Sequence, residues 1–411
     1  MCVCLPLRMD ISEEFLSLDS LEENVGNAQR LKIETEAKQT NNGLELPPWL
    51  SIPPDSSIPH LTTLHNEIIQ FAKLVSPCEK DMVKRTEVFN LVKECAEGLF
   101  PGCRVLLFGS QATGLLLPGS DIDVVVLDSV QKEGEAATSA TAATTTATTT
   151  ATTTTTKEEN YLDKALQISP MRRLANAIRT DWGDDLSYME VVEHTRVPIV
   201  KLTHEPSGLS IDISFDMLGG PKAAELMKTF MMNMPMLKPL CFVLKFFLVS
   251  RGLNEPYSGG IGSFMLQLMV VGFLQQRYRE DLNAKRPCVP NLGCLLLEFF
   301  ELFGENYNYI TTGISVLKDG SFFSKGADKR REAYFQPNRP FNLAIENPLE
   351  VDMDVGKASF KVGLVKRSFE FAHKTLLAHV SEPAVPAISI LASVIPMSTQ
   401  TWNEYLLKNT G

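Results

Sequence analysis

The chain has 411 residues, 44% of them hydrophobic and 21% charged, and a formal net charge of −10 at pH 7. This composition excludes a mainly disordered or collagen-like chain, and the length exceeds that of one ordinary core, so we expect two folded units. The negative charge disfavours nucleic-acid binding by the whole surface. However, ten acidic and four basic residues lie within the first 57 positions, so a local basic surface remains possible elsewhere.

The cysteine and histidine patterns argue against a zinc module or a disulfide framework. The eight Cys include no C-x-x-C pair, and the six His lack the spacing of metal ligands. The first residues hold too short an apolar run for a secretory signal, and the longest apolar stretches are short or interrupted by Lys238 and Lys245. We therefore expect a soluble protein of a reducing, intracellular compartment with no membrane partner.

The first elements in chain order are a tail and two helices. Residues 1–57 are rich in acids, Asn, Gln and Pro, which predicts a disordered acidic tail with at most one short helix. From His60 to Leu99 apolar residues recur at steps of three and four, which predicts two helices before the first strand.

Two β-type runs follow, Arg104–Phe108 and Asp121–Leu127, and a loop rich in Gly and Ser separates them. Next comes a Thr/Ala-rich insert at 131–157, in which every residue from Ala136 to Thr156 is Ala, Thr or Ser. Such a segment has no means of forming a specific core, so we expect it to be disordered.

The remaining pattern changes from mixed to helical. It predicts a helix over Tyr161–Arg179 and two strands, Val197–Leu202 and Leu209–Phe215, joined by a turn that contains Pro and Gly. From Ala223 to about residue 303 nearly everything is typical of helix, as is Ser368–Val380. The sequence thus predicts an α/β unit followed by a helical one.

Asp121 and Asp123 are candidate metal ligands. Side chains two positions apart on a strand share a face, and two adjacent carboxylates repel unless a cation lies between them. Ligation by oxygen alone suits Mg²⁺ or Mn²⁺, although D-x-D on its own is a common pattern.

Two further features raise the significance of this pair. Gly109 and Ser110 follow the first strand directly, where a small residue lets backbone N–H groups and a hydroxyl approach phosphate oxygens. Asp212 lies in the apolar run Leu209–Phe215, where an unpaired carboxylate is costly unless a metal offsets its charge. Three carboxylates beside a phosphate-holding loop are the groups needed for two-metal nucleotidyl transfer.

These motifs resemble a known family. The segments Leu106–Ser110, Pro118–Asp123 and Ile211–Phe215 look like the nucleotidyltransferase signature of the DNA polymerase β superfamily. The later segments narrow this to the non-canonical poly(A) RNA polymerases, the DNA polymerase sigma-like group of topoisomerase-related-function type. These later segments are Leu244–Asn254, Tyr257–Phe264, Asn291–Leu302 and Ile345–Lys357.

The resemblance covers about Leu99 to Leu377, without the Thr-rich tract, and implies an α+β fold. Its parts are a polymerase β-like nucleotidyltransferase domain, a mixed sheet with flanking helices, at 58–235, and a mainly helical poly(A)-polymerase-associated domain at 236–380. A C-terminal extension occupies 381–411.

The resemblance also implies roles for individual residues. It assigns Asp121, Asp123 and Asp212 to two Mg²⁺ or Mn²⁺ ions and to catalysis, with Asp212 helping to deprotonate the attacking 3′ hydroxyl. The residues that it implies for nucleotide binding are Gly109, Ser110, Lys245, Ser263, Phe264, Asn347 and Met353. Of these, Gly109, Ser110, Lys245 and Ser263 hold the triphosphate, and Phe264, where the family usually has Tyr, stacks on the base.

The base-recognition segment departs from the family pattern. Glu346-Asn347-Pro348 stands where the family typically has Glu-Asp-Pro, and Met353 begins a segment that typically reads Asn-Asp-Val-Gly-Arg. Uridylyl-adding relatives often carry a His at the position of Met353, and its absence here favours ATP over UTP.

Candidate RNA contacts are basic residues, because phosphate binding requires Lys or Arg. They are Arg172, Arg173 and Arg179, and a second group of Lys325, Lys329, Arg330, Arg331 and Arg339. Any single one of them is more typical of an ordinary solvated charge than of an RNA contact. No RNA-binding module is visible in the sequence. The resemblance implies work with a zinc-knuckle RNA-binding protein and an RNA helicase in nuclear RNA surveillance, in the nucleoplasm or nucleolus.

The sequence therefore predicts a template-independent RNA adenylyltransferase that transfers AMP from ATP to RNA 3′ ends. A terminal uridylyltransferase, a catalytically silent RNA-processing scaffold and a sugar transferase that uses D-x-D are the alternatives. The three carboxylates disfavour the scaffold, and the Gly109–Ser110 loop and the helical half have no role in a sugar transferase.

Overall fold

The computed structural model describes residues 46–52, 55, 57–127, 169–195, 197–284, 291–350, 352–381 and 389–395. The predicted insert at 131–157, nearly all of the predicted tail and most of the C-terminal extension lie outside the described residues. Within the described part the chain forms two compact units. One, here the sheet unit, spans residues 77–224, and the other, the helical unit, contains residues 46–76 and those from 225 onward.

A mixed five-stranded sheet dominates the sheet unit. Its strands are β1 (Arg104–Phe108), β2 (Ile122–Leu127), β3 (Leu186–Val192), β4 (Ile199–His204) and β5 (Leu209–Phe215). The spatial order is β1-β2-β5-β4-β3, in which β2 and β5 run parallel and every other pair runs antiparallel. The mixed sheet with flanking helices confirms the predicted α+β class.

Two helices complete the core of this unit. In chain order, α1 (His60–Val75) belongs to the helical unit, and α3 (Gly109–Thr113) is a short helix. The two helices of this core are α2 (Glu79–Leu99) and α4 (Pro170–Trp182). Ile122, Val124 and Val126 alternate on one face of β2 and join both helices in a single apolar cluster. This packing fixes which side chains of β2 lie on its opposite face.

The sequence located β1 and β5 to the residue but missed β3. Its side chains are all exposed or half-buried, as is usual for an edge strand, so it lacks the alternation that marks a half-buried strand. The helix predicted over Tyr161–Arg179 is described only from Pro170, and residues 161–168 lie outside the described range. Ser169 caps its start by accepting a hydrogen bond from the Arg172 amide.

The helical unit is assembled around aromatic side chains. Its helices are α1 (His60–Val75), α5 (Gly219–Asn233, which begins in the sheet unit), α6 (Leu237–Val249), α7 (Ser263–Ala284), α8 (Leu292–Glu301) and α9 (Val362–Ser381). Phe247 contacts both Phe300 and Phe369, with ring centroids 5.1 and 5.8 Å apart. These helices agree with the predicted helical run after residue 223.

A two-stranded sheet interrupts the helical unit, and the sequence did not predict it. Its strands are β6 (Thr312–Ser315) and β7 (Ser321–Ser324), which pair antiparallel. Ile345 bridges to Ile314 of β6, and Glu346 bridges to Asp354. The chain from Ile345 to Val355 is therefore a hairpin attached to this sheet, named here the recognition hairpin.

The two units separate between residues 224 and 225, and α1 belongs to the helical unit. The predicted domain boundaries at 58, 235 and 380 stay predictions. In the described part of the chain, no helix combines the length and apolar character needed to cross a membrane. Five cysteines in that part are free thiols.

Candidate active site

Two of the three predicted acids are register partners in the sheet. Asp123 of β2 lies directly beside Asp212 of the parallel strand β5. Adjacent strands are about 4.8 Å apart, and paired residues point to the same face, so the two carboxylates are neighbours. Asp121 immediately precedes β2 and shares the face of Asp123, but its side chain is exposed. Parallel pairing thus brings together acids that are 89 positions apart in sequence.

The donor chemistry of this face fits a divalent cation, because carboxylates supply only oxygen ligands. Asp123 and Asp212 are both half-buried, as expected for side chains that surround a partly dehydrated ion. Among the described residues, no three His, Cys, Asp or Glu side chains are gathered into a ready ligand set. The assignment of all three acids to metal therefore stays a prediction.

Gly109 allows Asp123 to approach the backbone that follows β1. A Cβ added at Gly109 would lie 1.9 Å from Oδ2 of Asp123, and its φ of +65° is in the left-handed region. Only glycine satisfies both conditions. Ser110, which follows it, is buried in the first turn of α3. The predicted Gly109–Ser110 loop is thus in direct proximity to one of the predicted metal ligands.

Lys201 is a functional candidate that the sequence did not reveal. It is the register partner of Asp212 on β4, and its Nζ lies 3.2 Å from Oδ2 of that carboxylate. Asp212 therefore has a positive partner within the sheet, and its assignment to a metal stays a prediction. Lys201 supplies a positive charge at this acid, and only knowledge of the β4–β5 register reveals the pair.

Arg85 of α2 is a second candidate that the sequence missed. Its side chain is 2% exposed, and Nη2 donates a 2.6 Å hydrogen bond to the carbonyl of Ser120, the residue before Asp121. Burial lowers the pKa of Arg85, whereas the charges of Asp81, Asp121 and Asp123 raise it. Nη1 is buried without a hydrogen-bond partner among the described residues. The buried guanidinium of Arg85 therefore fixes the backbone at Ser120, immediately before Asp121.

In the helical unit, Lys245 is the half-buried member of an otherwise buried stretch of α6. Cys241 to Leu244 and Phe246 to Leu248 are all buried, which leaves Lys245 the part of this stretch that reaches solvent. Its charge acts on the Cys241 thiol, although burial dominates there and raises the pKa of that thiol to about 12. The predicted lack of a broad solvent face around Lys245 is correct.

Ser263 occupies the first position of α7, and its side chain is exposed. The first N–H groups of a 22-residue helix are without helical partners and favour anions. Phe264, the next residue, is half-buried. A helix start of this kind suits a phosphate group, and the role of Ser263 in holding the triphosphate stays a prediction.

The recognition hairpin carries Asn347 and Met353 on its two arms. The amide of Asn347 donates to the carbonyl of Met353 at 3.1 Å, and Nδ2 of Asn347 lies 3.1 Å from the Met353 sulfur. Oδ1 of Asn347 accepts from the amide of Leu349. Its side chain is therefore occupied within the hairpin, and it holds the turn that separates the two predicted nucleotide-binding residues.

Asp354 fastens the base of the hairpin. Its Oδ1 accepts hydrogen bonds from the amides of Ile345, at 2.9 Å, and Gly356, at 2.8 Å. Burial raises the pKa of Asp354 to about 6, against the opposing effect of those two amides and of Lys325. The stability of the hairpin therefore depends on whether the Asp354 carboxyl is protonated.

Lys325 was predicted as a candidate RNA contact, and this prediction is wrong. Its side chain is buried, and Nζ donates to the carbonyls of Tyr309, Asn342 and Pro340 at 2.6, 2.7 and 3.2 Å. Burial lowers the pKa of Lys325 to about 8. This ammonium instead ties β7 to the segment that leads into the recognition hairpin.

The four basic residues predicted with most weight to bind RNA lie in different settings. Nε and Nη2 of Arg172 contact the Glu193 carboxylate, and Arg173 lies 5.1 Å from the Phe100 ring centroid. Arg330 pairs with Glu346, whose other oxygen accepts from Ser315. Lys329 is exposed. Their contact with RNA stays a prediction.

Taken together, the fold and this face define a class of protein. A mixed sheet with acids on two parallel strands, a Gly-Ser turn after the first strand and a following helical unit is the architecture of a polymerase β-like nucleotidyltransferase. Comparisons with known proteins agree with this class. Residues 64–232 match the family "Poly(A) RNA polymerase, mitochondrial-like, central palm domain", and residues 291–353 match "Cid1 family poly A polymerase".

Relatives show the particular family. The chain is 30% identical to the "inactive non-canonical poly(A) RNA polymerase protein Trf4-2" of Drosophila melanogaster, over 83% of this chain and 75% of that protein. It is 32% identical to "Poly(A) RNA polymerase protein 1" of Saccharomyces cerevisiae, over 76% of this chain and 43% of that protein. The chain belongs to the non-canonical poly(A) RNA polymerase family.

A solved structure supports the same conclusion. The polymerase core of TRAMP, described as an RNA surveillance complex, matches with a TM-score of 0.66 and 28% identity over 85% of this chain and 99% of that one. The chain spans between 37% and 47% of the length of four fungal poly(A) RNA polymerases that it matches. The polymerase β-like fold implies dependence on a divalent metal.

Gly109→Ala is expected to reduce nucleotidyl transfer about a hundredfold, because the new methyl group would displace the Asp123 carboxylate. Gly114→Ala is a matched control: its φ is +71°, similarly unfavourable for Ala, but a Cβ there meets nothing within 4 Å. Primer-extension rates of the two variants are to be compared. Equal losses in both would show that backbone strain, and not contact with Asp123, is responsible.

Arg85→Met is expected to weaken Mn²⁺ binding about tenfold, because the Ser120 carbonyl loses its donor and the segment that carries Asp121 loosens. Calorimetric titration with Mn²⁺ in the absence of nucleotide measures this directly. The control is Lys93→Met, which removes an exposed charge from the same helix. Loss of a positive charge alone would tighten cation binding, so tighter binding in Arg85→Met would contradict the positioning role.

Asp354→Asn is expected to change how stability depends on pH. Since the pKa of Asp354 is raised in the folded chain, its protonated form is favoured there, and its contribution to the unfolding free energy falls as pH rises from about 4 to 6. The wild type should lose about 2 kcal/mol relative to Asp354→Asn over this range. Thermal unfolding at several pH values measures the difference, with Asp352→Asn in the same hairpin as the control. If the difference in unfolding free energy between the wild type and Asp354→Asn stayed constant with pH, this expectation would be contradicted.

Proposed function

We propose that this protein is a template-independent RNA adenylyltransferase: ATP and an RNA with a free 3′ hydroxyl give RNA extended by AMP, and pyrophosphate. The observation that carries the proposal is the parallel pairing of Asp123 with Asp212, next to the Gly109–Ser110 turn. Nucleotidyl transfer requires carboxylates at such a place, since charge develops on both the attacking and the leaving oxygen.

Asp121, Asp123 and Asp212 would hold two divalent ions, Mg²⁺ or Mn²⁺, on the exposed face of β2 and β5. When bound, such ions stabilise the attacking and leaving oxygens of an in-line displacement. Asp212 would also accept the proton of the 3′ hydroxyl. Lys201, 3.2 Å away, keeps a positive charge at this carboxylate and fixes its position.

Each unit carries groups that would suit a triphosphate. Gly109 and Ser110 offer backbone N–H groups at the start of α3, and Ser263 offers those at the start of α7. Lys245, which reaches solvent from a buried stretch of α6, supplies a positive charge. Phe264 would stack on the base.

The recognition hairpin would select the base, with Asn347 holding its turn and Met353 contacting the base. A thioether neither donates nor accepts strong hydrogen bonds, so Met353 offers no group that requires uracil. This supports adenylate over uridylate. Terminal uridylyl transfer is the alternative, and it differs from adenylyl transfer only in the base that is selected.

A catalytically silent scaffold is the second alternative, and one relative makes it concrete, because the matched Drosophila protein is named inactive. This chain retains all three acids, with two of them in register. That arrangement favours an active enzyme.

The cellular setting is proposed from the relatives. The matched core belongs to an RNA surveillance complex. We infer that this chain adds tails in nuclear RNA surveillance, in the nucleoplasm or nucleolus, with a zinc-knuckle RNA-binding protein and an RNA helicase as partners. Its RNA contacts would include Arg172, Arg173, Lys329 and Arg330.

Primer extension with each of the four nucleotides, in Mg²⁺ and in Mn²⁺, tests the proposal. ATP should be incorporated best, and Asp123→Asn should reduce incorporation by about a hundredfold or more, because a metal ligand is lost. Asp184→Asn, which neutralises an exposed acid of the same unit, serves as the control. A folded wild type that incorporates no nucleotide, alone or with a zinc-knuckle partner, would overturn the proposal, whereas preference for UTP would establish the uridylyl alternative.

A further inference from the structure

Three large aromatic side chains of the helical unit are exposed, and they lie on three separate segments of the chain. Tyr257 is 76% exposed, Phe341 59% and Phe360 49%. None of them is among the residues proposed above to bind the nucleotide. Isolated exposed aromatic residues are common on protein surfaces and need no explanation. The segments that carry these three rings, however, are bonded to one another.

Phe360 is joined to the turn that carries Tyr257. Its ring lies against Gly259, where an added Cβ would come within 2.4 Å of the ring carbons. The amide of Lys361 donates to the carbonyl of Gly259 at 2.9 Å. Tyr257 lies two residues earlier, in the 3₁₀ turn Pro256–Ser258. The backbone of Gly259 therefore supports the Phe360 ring and joins its segment to the turn that carries Tyr257.

Phe341 belongs to a segment that is bonded to the same region. Nδ2 of Asn342 donates to the carbonyl of Lys357 at 2.9 Å, and the amide of Leu343 donates to Oγ of Ser359 at 2.8 Å. The guanidinium of Arg339 lies 5.5 Å from the centroid of the Phe360 ring. Tyr257, Phe341, Phe360 and Arg339 are named here the aromatic platform.

Positive charge accompanies these rings. The segments 254–261, 339–343 and 356–361 contain Arg339, Lys357 and Lys361, and Glu255 is their one acid. Arg339 and Lys357 are exposed. Aromatic faces interleaved with cations are the combination that binds single-stranded nucleic acid, because bases stack on the rings while cations contact the phosphates.

We propose that the aromatic platform binds unpaired nucleotides of the RNA substrate. This inference rests on the proposed function, since it concerns the RNA that would be extended. Tyr257 and Phe360 stack on bases, and Arg339 and Lys357 contact backbone phosphates. A duplex keeps its bases paired and inaccessible to the rings, so the platform selects single strands. Exposed rings also serve protein partners, but the accompanying cations favour a polyanion.

Binding of a fluorescein-labelled single-stranded oligoadenylate to the full chain, followed by anisotropy, tests this platform. Tyr257→Ala and Phe360→Ala should each raise the dissociation constant about tenfold, and Tyr257→Phe and Phe360→Tyr should restore binding. Arg339→Gln should reduce the number of ions released on RNA binding by about one, as read from the salt dependence of the dissociation constant. Phe371→Ala, which removes a ring that is 61% exposed on α9, serves as the matched control.

Primer extension separates this platform from nucleotide binding. The Ala variants should raise the KM for RNA about tenfold and leave the KM for ATP unchanged. Tyr257→Ala is the decisive variant if Phe360→Ala fails to fold, because the Tyr257 ring is the more exposed. The platform would be overturned by unchanged RNA affinity in folded Tyr257→Ala, or by an equal loss of RNA affinity in Phe371→Ala. In either case, primer extension by the wild type would still uphold the proposed function. Retained RNA binding together with lost binding of a protein partner would also overturn it, in favour of a protein-docking surface.

Discussion

Electrostatic repulsion between neighbouring carboxylates is the constraint on which the sheet unit depends. Parallel pairing of β2 with β5 brings Asp123 and Asp212 to adjacent positions, and Asp121 shares their face. Without compensation, such a cluster would destabilise the sheet that creates it. The fold compensates locally, since Lys201 pairs with Asp212 and the buried Arg85 holds the segment before Asp121. The positions proposed to hold a cation are therefore supported by side chains of the sheet unit itself, as fixed coordination geometry requires.

The recognition hairpin shows a different solution to a similar problem. The hairpin from Ile345 to Val355 has only eleven residues and therefore little apolar surface to bury. Here buried polar groups supply the order: Asp354 binds two backbone amides, and the Lys325 ammonium binds three backbone carbonyls. Glu346 adds contacts to Ser315 and Arg330. Because buried polar groups are costly when unpaired, each of these contacts favours one conformation over its alternatives.

Membership of the family alone leaves activity open, because one matched relative is named inactive and the others are named polymerases. The discriminating features are local. The three acids, the glycine that gives Asp123 room and the exposed start of α7 are all present in this chain. The aromatic platform extends the same reasoning from the reacting groups to the RNA. Function in this fold therefore depends on a few side chains and on the elements that place them.

Much of the candidate site is predicted by short-range patterns in the amino-acid sequence. Residue type and short spacing identify the carboxylates, the Gly-Ser turn and strands β1 and β5, because these signals lie within a few neighbouring positions. The family motifs identify Lys245, Ser263 and the recognition hairpin in the same local way. The edge strand β3 and the sheet of β6 and β7 were missed, since short or exposed strands lack a clear hydrophobic alternation.

The pairs formed by residues distant in sequence are visible in the folded chain and not in any local pattern. Lys201 looks like any strand lysine until the β4–β5 register places it opposite Asp212, and Arg85 looks like an exposed helix residue until α2 packs on the sheet. Lys325 was mistaken for a surface cation for the same reason. The physical cause is that burial and ion pairing arise from contacts between residues distant in sequence, and no local pattern encodes those contacts.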